Sequence, residues 1–367
     1  MLQNMNLKTL LLTTAMFLLV NTISVYALNY TSNSTSSILA GTSITHSLYW
    51  QDDMGLSGYI FSFDNCTTSL ANDSWNDMTG NGNWSNVTKI INSTIGCNVK
   101  WCIYANDSSN NWNGTSCQDP FSYITTNQPP NIYFIESIPN QDPIGGSTTT
   151  VIFIVSVSDI NGYSDISSVS AEFNKTGEET KFGDCNENNV INSTARNYSC
   201  LVDMEYYDAN GNWSVMVTAE DTSSEIDTEW SSFTYNLLTS WVMDGNSLNF
   251  GNIYHGENYI GATENPMILE NIGNDDLSGE IKVTALDLTG VTNSSEYIPA
   301  GNFSVNVNNA QGGDVLANNT AVIATGTSLN RGESSKEELY FYILDVPLDL
   351  SFQVYNTTGL GQWTIST

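Results

Sequence analysis

Asp159, Asn161 and Asp165 lie in the short run Asp-Ile-Asn-Gly-Tyr-Ser-Asp, directly after an apolar stretch that ends at Ser158. Oxygen-bearing side chains spaced around a glycine that permits a sharp bend are the means by which a loop wraps calcium, a hard cation that takes oxygen ligands only. The same residue types also begin ordinary Asx turns at strand ends. The run lacks the later acidic residue of an EF-hand loop, so both uses stand as expectations. Asp52 and Asp53 hold the equivalent place earlier in the chain with fewer ligands, while Asp107 and Asp221 read as turn starters. No cofactor other than calcium is implied.

Catalytic constellations are poorly served. The chain has two histidines, His46 and His255, and no GxSxG, HExxH or phosphate-cradling glycine loop. A Ser-His-Asp triad would need one of those histidines in a cleft beside a serine elbow. Both instead read as packing or surface residues. Carboxylates are plentiful, but a glycosidase pair needs a cleft that narrow sandwiches seldom build. The expectation is a protein that is not an enzyme.

Two further kinds of site follow from composition. Asn-x-Ser/Thr acceptors for N-glycosylation occur at Asn65, Asn72, Asn83, Asn86, Asn92, Asn106, Asn113, Asn174, Asn192 and Asn197, densest between Asn65 and Asn113. Others include Asn212, which a neighbouring strand residue, Trp213, should make a poor one. Nine Trp and eighteen Tyr could supply a glycan-binding face. Trp50, Trp101 and Trp213 fall on strands and read as core, whereas Trp84, Trp112 and Tyr254 read as loop aromatics.

Charge narrows the partners. With 39 acidic against 9 basic residues the net charge is −30. Nucleic acid is excluded, because phosphate binding depends on clustered Lys and Arg, and an anionic membrane surface nearly so. Residues 1–27 read as an export signal. Lys8 precedes the apolar stretch Thr9 to Val20, and Val25-Tyr26-Ala27 supplies a small-x-small cleavage pattern. Nothing later in the chain is apolar enough to span a bilayer, so the mature chain is expected to have no transmembrane segment and to be secreted or at the cell surface. In such a compartment the six cysteines read as three disulfides. Cys102 alternates with the core-facing Trp101 and Ile103 and so points towards a neighbouring strand, near Cys117. A bridge there would close a loop of roughly 15 residues and contribute roughly 3 kcal/mol in the chain-entropy model. Cys66–Cys97 follows by elimination, although four cysteines permit three connectivities, and Cys185–Cys200 brackets a polar loop in the second half.

The elements that must position these residues are strands. Val151, Phe153, Val155 and Val157 alternate with less apolar neighbours, as do Trp213, Val215, Val217 and Ala219. The chain also repeats itself. Val99-Lys-Trp101-Cys-Ile103-Tyr-Ala105-Asn-Asp107 answers Trp213-Ser-Val215-Met-Val217-Thr-Ala219-Glu-Asp221, and each is followed by Phe-x-Tyr, at Phe121 and Phe233. Upstream, Asp52 to Ser57 answers Asp159 to Ser164. The offset stays near 107 to 114 residues, one sandwich length. Thr125 to Asn131, with Pro129 and Pro130, separates the copies. The expected fold is all-β: three tandem immunoglobulin-like β-sandwiches over 28–127 (two disulfides), 128–236 (one disulfide) and 237–367. Strands in the last are expected around Leu248–Gly251, Met267–Leu269, Ile281–Leu286, Phe303–Val307, Glu338–Leu344 and Gln362–Ile365.

The runs Gly41-Thr-Ser-Ile-Thr-His46-Ser-Leu-Tyr-Trp50, Gly55-Leu-Ser-Gly58-Tyr-Ile-Phe-Ser-Phe-Asp64 and Trp101-Cys-Ile-Tyr-Ala-Asn-Asp107 resemble the immunoglobulin-like or fibronectin-type-III-like repeats of archaeal-type secreted surface proteins. The resemblance covers nearly all of 40–125 and is looser in the second copy. The last segment, with Phe250-Gly251, Asn265-Pro266, Asn271-Ile-Gly-Asn274, Ile298-Pro299 and Leu344-Asp-Val-Pro347, resembles C-terminal sandwiches of similar surface proteins, and only its ending departs, because Ser351-Phe-Gln-Val-Tyr355 follows Pro347 where a Gly-rich turn is expected. The resemblance implies a fold and an extracellular location but no chemistry. The functional expectation is a structural or adhesive, non-catalytic role with other surface proteins or glycans as partners. Alternatives are a carbohydrate-binding accessory module of a surface complex, or a filament or surface-layer subunit joined by strand exchange.

Overall fold

The computed structural model describes residues 27–367. The export-signal reading falls on residues outside this span, except for Ala27. The described chain is β-structure with three short 3-10 turns, and no helix in it is long and apolar enough to cross a membrane.

The first unit holds β1 (Asn29–Thr35), β2 (Ser43–Gln51), β3 (Leu56–Asp64), β4 (Ala71–Asp77), β5 (Gly82–Ile90), β6 (Asn98–Asp107), β7 (Trp112–Asn113) and β8 (Phe121–Ile124). One sheet is β1-β2-β5; the other is β4-β3-β6, with β7 and β8 both on the far edge of β6. Alternation drives the packing. Ile44, His46, Leu48 and Trp50 of β2 are buried at every second position; Leu48 and Trp50 share a core with Phe61, Trp101, Ile103 and Ala105 from the facing sheet, and His46 packs against Phe61 and Trp101. This period-two burial is what two sheets stacked about 10 Å apart require.

The second unit repeats the plan with β9 (Asn131–Ile135), β10 (Thr149–Ser158), β11 (Ile166–Asn174), β12 (Lys181–Asn192), β13 (Ala195–Met204), β14 (Gly211–Asp221) and β15 (Ile226–Tyr235). Here the two sheets join. The start of β12 pairs with β11, ending at Asp184 opposite Ser170. From the next residue it pairs with β13, with Cys185 opposite Cys200. The strand switches sheets at that point. Gly183 makes the crossing possible, since a Cβ there would run into the Leu201 carbonyl. The core gathers Val151, Phe153, Phe173, Trp213, Val215 and Phe233.

The two units share local detail. Asp107 and Asp221 each end a strand, receive a bond at their carbonyl from the residue three ahead, and are followed by a non-glycine residue with positive φ, Asn110 and Ser224. From Trp241 onward the sheets change character. Lys336–Ile343 is the hub, pairing with Met267–Asn271, Ile260–Gly261 and Phe303–Asn306, while Lys282–Thr284 pairs with Ala321–Ile323 and Thr364–Ser366. This part has its own core around Leu269, Val283, Phe303, Val305 and Phe341. The expected strand at Leu248–Gly251 is absent. That segment runs as a loop from Gly245 to Gly251, both at positive φ, and is anchored by the Asn249 amide on Glu264.

The six cysteines form three pairs, Cys66–Cys97, Cys102–Cys117 and Cys185–Cys200. One detail differs from the sequence reading. Cys185 and Cys200 sit directly opposite one another in the β12–β13 hairpin, Cα to Cα 3.8 Å, so the residues between them are strand and tight turn instead of a polar loop.

Candidate functional site

The joint between the first two units is built from the β10–β11 connection, the end of β14 and the linker. Ile160 packs over Gly41, which has positive φ and no room for a Cβ beneath that side chain. Asn161 reaches across, its Nδ2 donating to the Ser93 carbonyl (2.8 Å) and its Oδ1 accepting from the Gln128 amide (3.3 Å).

Behind this seam three carboxylates converge. Asp159, Asp165 and Asp221 place one oxygen each within 4.8 Å of one another. Asp159 directly follows β10, Asp165 closes a 3-10 turn, and Asp221 ends β14, so both halves of the second unit contribute. Asp159 and Asp221 are each 1% exposed. One oxygen of each is spent locally. Asp159 Oδ1 accepts from the Asn161 amide (2.7 Å), Asp221 Oδ1 from the Ser223 and Glu225 amides (2.8 and 2.9 Å), and Asp165 Oδ1 from the Thr222 hydroxyl. Asp221 Oδ2 takes the Asn127 Nδ2 from the linker at 2.6 Å. Asp159 Oδ2 and Asp165 Oδ2 are buried without a partner, as are Oδ1 of Asn127 and Oε1 of Gln128. None of the ion pairs among the described residues involves the three carboxylates. Burial, with Asp165 and Asp221 close by, pushes Asp159 up to about 6.

The grouping differs from the set expected from sequence. Asp159 and Asp165 belong together, but Asn161 is spent on the seam and Asp221, read as a turn starter, completes the group. The internal repeat carried the signal, since it aligned Asp221 with Asp107 at the end of the strand beside the bend. Structure also shows why the first unit has no such group. Ile166 lies opposite Asp221 as Leu56 lies opposite Asp107, and the Thr222 amide donates to the Asp165 carbonyl as that of Ser108 does to Gly55. Gly55 therefore stands where Asp165 does. Asp107 is satisfied within its own turn by Ser109 and Asn111, whereas Asp221 gives its second oxygen to Asn127 of the linker, and Asp52 accepts from the Met54 amide. Asp53 is not part of any acidic group of three among the described residues.

The histidines are not brought together. His46 is fully buried between Phe61, Phe63 and Trp101 and shares a 3.0 Å hydrogen bond with the Tyr123 hydroxyl; burial holds it down at about 4. His255 is exposed and stacks on Phe352 at the rim of a groove of about 970 Å³ in the third unit.

Trp50, Trp101 and Trp213 are core residues. Trp84 and Trp112 are exposed as expected but lie on strands β5 and β7, not in loops. Trp112 meets Trp75 edge to face at 5.7 Å on the outer face of the first unit. The Trp75 ring covers Gly58, where a Cβ would strike it, and its Nε1 is pinned to Asp77 (2.8 Å). Of the glycosylation acceptors, Asn72, Asn83, Asn86 and Asn192 are exposed, and Asn65, Asn92, Asn113, Asn174 and Asn197 half-buried. Asn106 is 7% exposed, with its amide donating to Asn110. Asn212 is exposed despite its place on β14.

No protein-family description matches the chain, and no curated protein matches it. Among solved structures it aligns with dimeric latent PorU from Porphyromonas gingivalis at 12% identity and TM-score 0.22, over 93% of this chain and 33% of that one, so it spans a third of that protein's length. It aligns with the FN1–FN3 domains of chicken CNTN1 at 11% and 0.25, over 89% and 98%. A tetra-tandem repeat from the extending region of a large adhesion protein gives 11% and 0.31, over 86% and 74%. At these scores the alignments carry nothing about ligand or partner.

Proposed function

We propose that the chain works outside the cell as a structural and adhesive tandem of three sandwiches, 28–127, 128–236 and 237–367, that binds through its surfaces and catalyses nothing. The observation that carries this reading is the Trp75–Trp112 pair. A large aromatic held outside the core by a glycine beneath it and a carboxylate on its nitrogen is prepared for contact before any ligand arrives. Indole faces of this kind stack on sugar rings and on apolar protein surfaces with little entropy to lose. The three cysteine pairs support an oxidising exterior.

The test is binding of the purified chain to surface polysaccharide and to intact producing cells. A Trp75→Ala/Trp112→Ala variant should lose at least tenfold in affinity while unfolding at an unchanged temperature. Equal binding by the variant, or recovery of the native protein from the cytosol with free thiols, overturns the reading.

A second reading, a subunit joined by strand exchange, is favoured by the groove in the third unit. Its walls include Phe250, Met267, Phe341 and Trp363, which also belong to or flank the core. Electron microscopy of concentrated protein would reveal filaments on this reading and dispersed particles on the first.

A further inference from the structure

We propose that Asp159, Asp165 and Asp221, with the Asn127 side chain of the linker, bind one calcium ion that fastens the first unit to the second. The proposal does not depend on the surface role above.

Three independent features converge. The ligand atoms are all oxygens, with no His or Cys in the group, which selects a hard cation. The charge is uncompensated, because no Lys or Arg among the described residues pairs with any of the three carboxylates. And the site contains buried acceptors with nothing to accept from: Asp159, 1% exposed, leaves Oδ2 unpartnered, as does Asp165. Buried polar atoms are normally satisfied, and an orphaned carboxylate oxygen is among the costliest to leave so. A divalent ion answers all three at once. Calcium fits better than magnesium, since a group drawn from two strand ends and a turn offers irregular geometry, while magnesium demands a near-ideal octahedron.

The linker makes the ion a fastener. Asn127 already touches the group through Asp221, and its own Oδ1 is orphaned. A half-turn of that amide would direct the oxygen at the ion. Gln128, next along, is held by Asn161, which in turn holds Ser93 of the first unit. Filling the site thus ties the linker, the bend and the first unit into one connected set of bonds. Without the ion, three like charges crowd the seam.

The experiment uses the full chain, stripped with chelator and titrated with calcium chloride by calorimetry. The expected result is one saturable site, a raised unfolding temperature, and protection of the 125–131 linker from limited proteolysis. Asp165→Asn keeps the acceptor for Thr222 but removes the charge, and should weaken binding at least tenfold; Asp52→Asn, at the equivalent bend of the first unit, should change nothing. Because the wild-type titration stands alone, a variant that misfolds does not decide the matter. Weak, unsaturable uptake shared by Asp165→Asn would mean diffuse attraction to an acidic surface and would overturn the site. Equal response to magnesium chloride would overturn the choice of ion, and saturable binding without linker protection would overturn the fastening role.

Discussion

Arg331 lies across the Glu178 carboxylate with both terminal nitrogens, at 2.7 and 3.1 Å, and gives a further bond to the Tyr207 carbonyl at 3.0 Å. The two residues belong to the third and second units, so this fork spans their joint. Burial works against the Glu178 charge, yet the Arg331 bonds leave its carboxyl below the usual range. A planar fork satisfies both carboxylate oxygens at once, which a lysine cannot do. Arg331→Lys is therefore expected to behave like Arg331→Ala. A double-mutant cycle with Glu178→Gln should return a coupling of about 1 kcal/mol, falling with salt because Arg331 is partly solvated. Coupling of zero would mean that the joint is held elsewhere, for example by Asn274, whose amide donates to the Asp208 and Asn236 carbonyls.

Gly183 is a narrower test of the second unit. The atom nearest an added Cβ is a backbone oxygen of Leu201, which cannot swing aside as a side chain could. Gly183→Ala should cost about 1–3 kcal/mol, the usual range for forcing a methyl into a filled space. Native-state hydrogen exchange would locate the loss in β12 and β13, the strands that meet at the crossing. Unchanged protection there would show that the sheets separate without difficulty.

How far the chain could be read in advance follows from how local each feature is. Period-two alternation is written in adjacent residues, so β10 and β14 and their buried faces were legible, as was the repeat that pairs Asp107 with Asp221. The Cys102–Cys117 pair was legible for the same reason, since strand parity alone aims Cys102 at its neighbour. The sheet switch at Gly183 was not, because a glycine beside Phe182 and Asp184 carries no sign of the strand it must cross. Nor was the approach of Asp221 to Asp159 and Asp165, which depends on how close two strand ends from different sheets come. Sequence spacing grouped Asn161 with Asp159 and Asp165; its bond to Ser93, invisible from the loop itself, turns it across the seam instead.

The disulfides should differ in their contributions by loop length. Cys102–Cys117 and Cys185–Cys200 both span 15 residues, and Cys66–Cys97 spans 31. In the chain-entropy model each of the shorter bridges contributes about 3 kcal/mol and the longer one roughly 0.6 kcal/mol more. Urea unfolding of three double Cys→Ala variants measures this directly. Cys185–Cys200 is the informative case, because its residues already face one another in a hairpin. If that hairpin persists in the unfolded ensemble, the bridge closes less entropy and its removal should cost less than that of Cys102–Cys117.

His46 gives the first unit a pH dependence whose sign is set by its burial. The imidazole sits among Phe61, Phe63 and Trp101 and is held down at about 4, against 6.5 when free in the unfolded chain. Above pH 6.5 both states carry it neutral and it contributes no slope. Between 6.5 and about 4 the unfolded chain takes up the proton and the folded one does not, so stability falls as pH falls. Below about 4 both are protonated and the loss levels off. The full loss is on the order of 3 kcal/mol, from about 1.4 kcal/mol per pH unit. Carboxylates titrate in the lower part of the same window, so the readout is a difference: chemical unfolding of wild type and His46→Phe at half-unit steps from pH 4 to 8. The variant should lack the slope between 6.5 and 5, where few carboxylates change charge, and should be the more stable of the two near pH 4. Parallel curves for the two proteins across that interval would mean that the imidazole meets water in the folded state, and that the sheets around it open more readily than their packing implies.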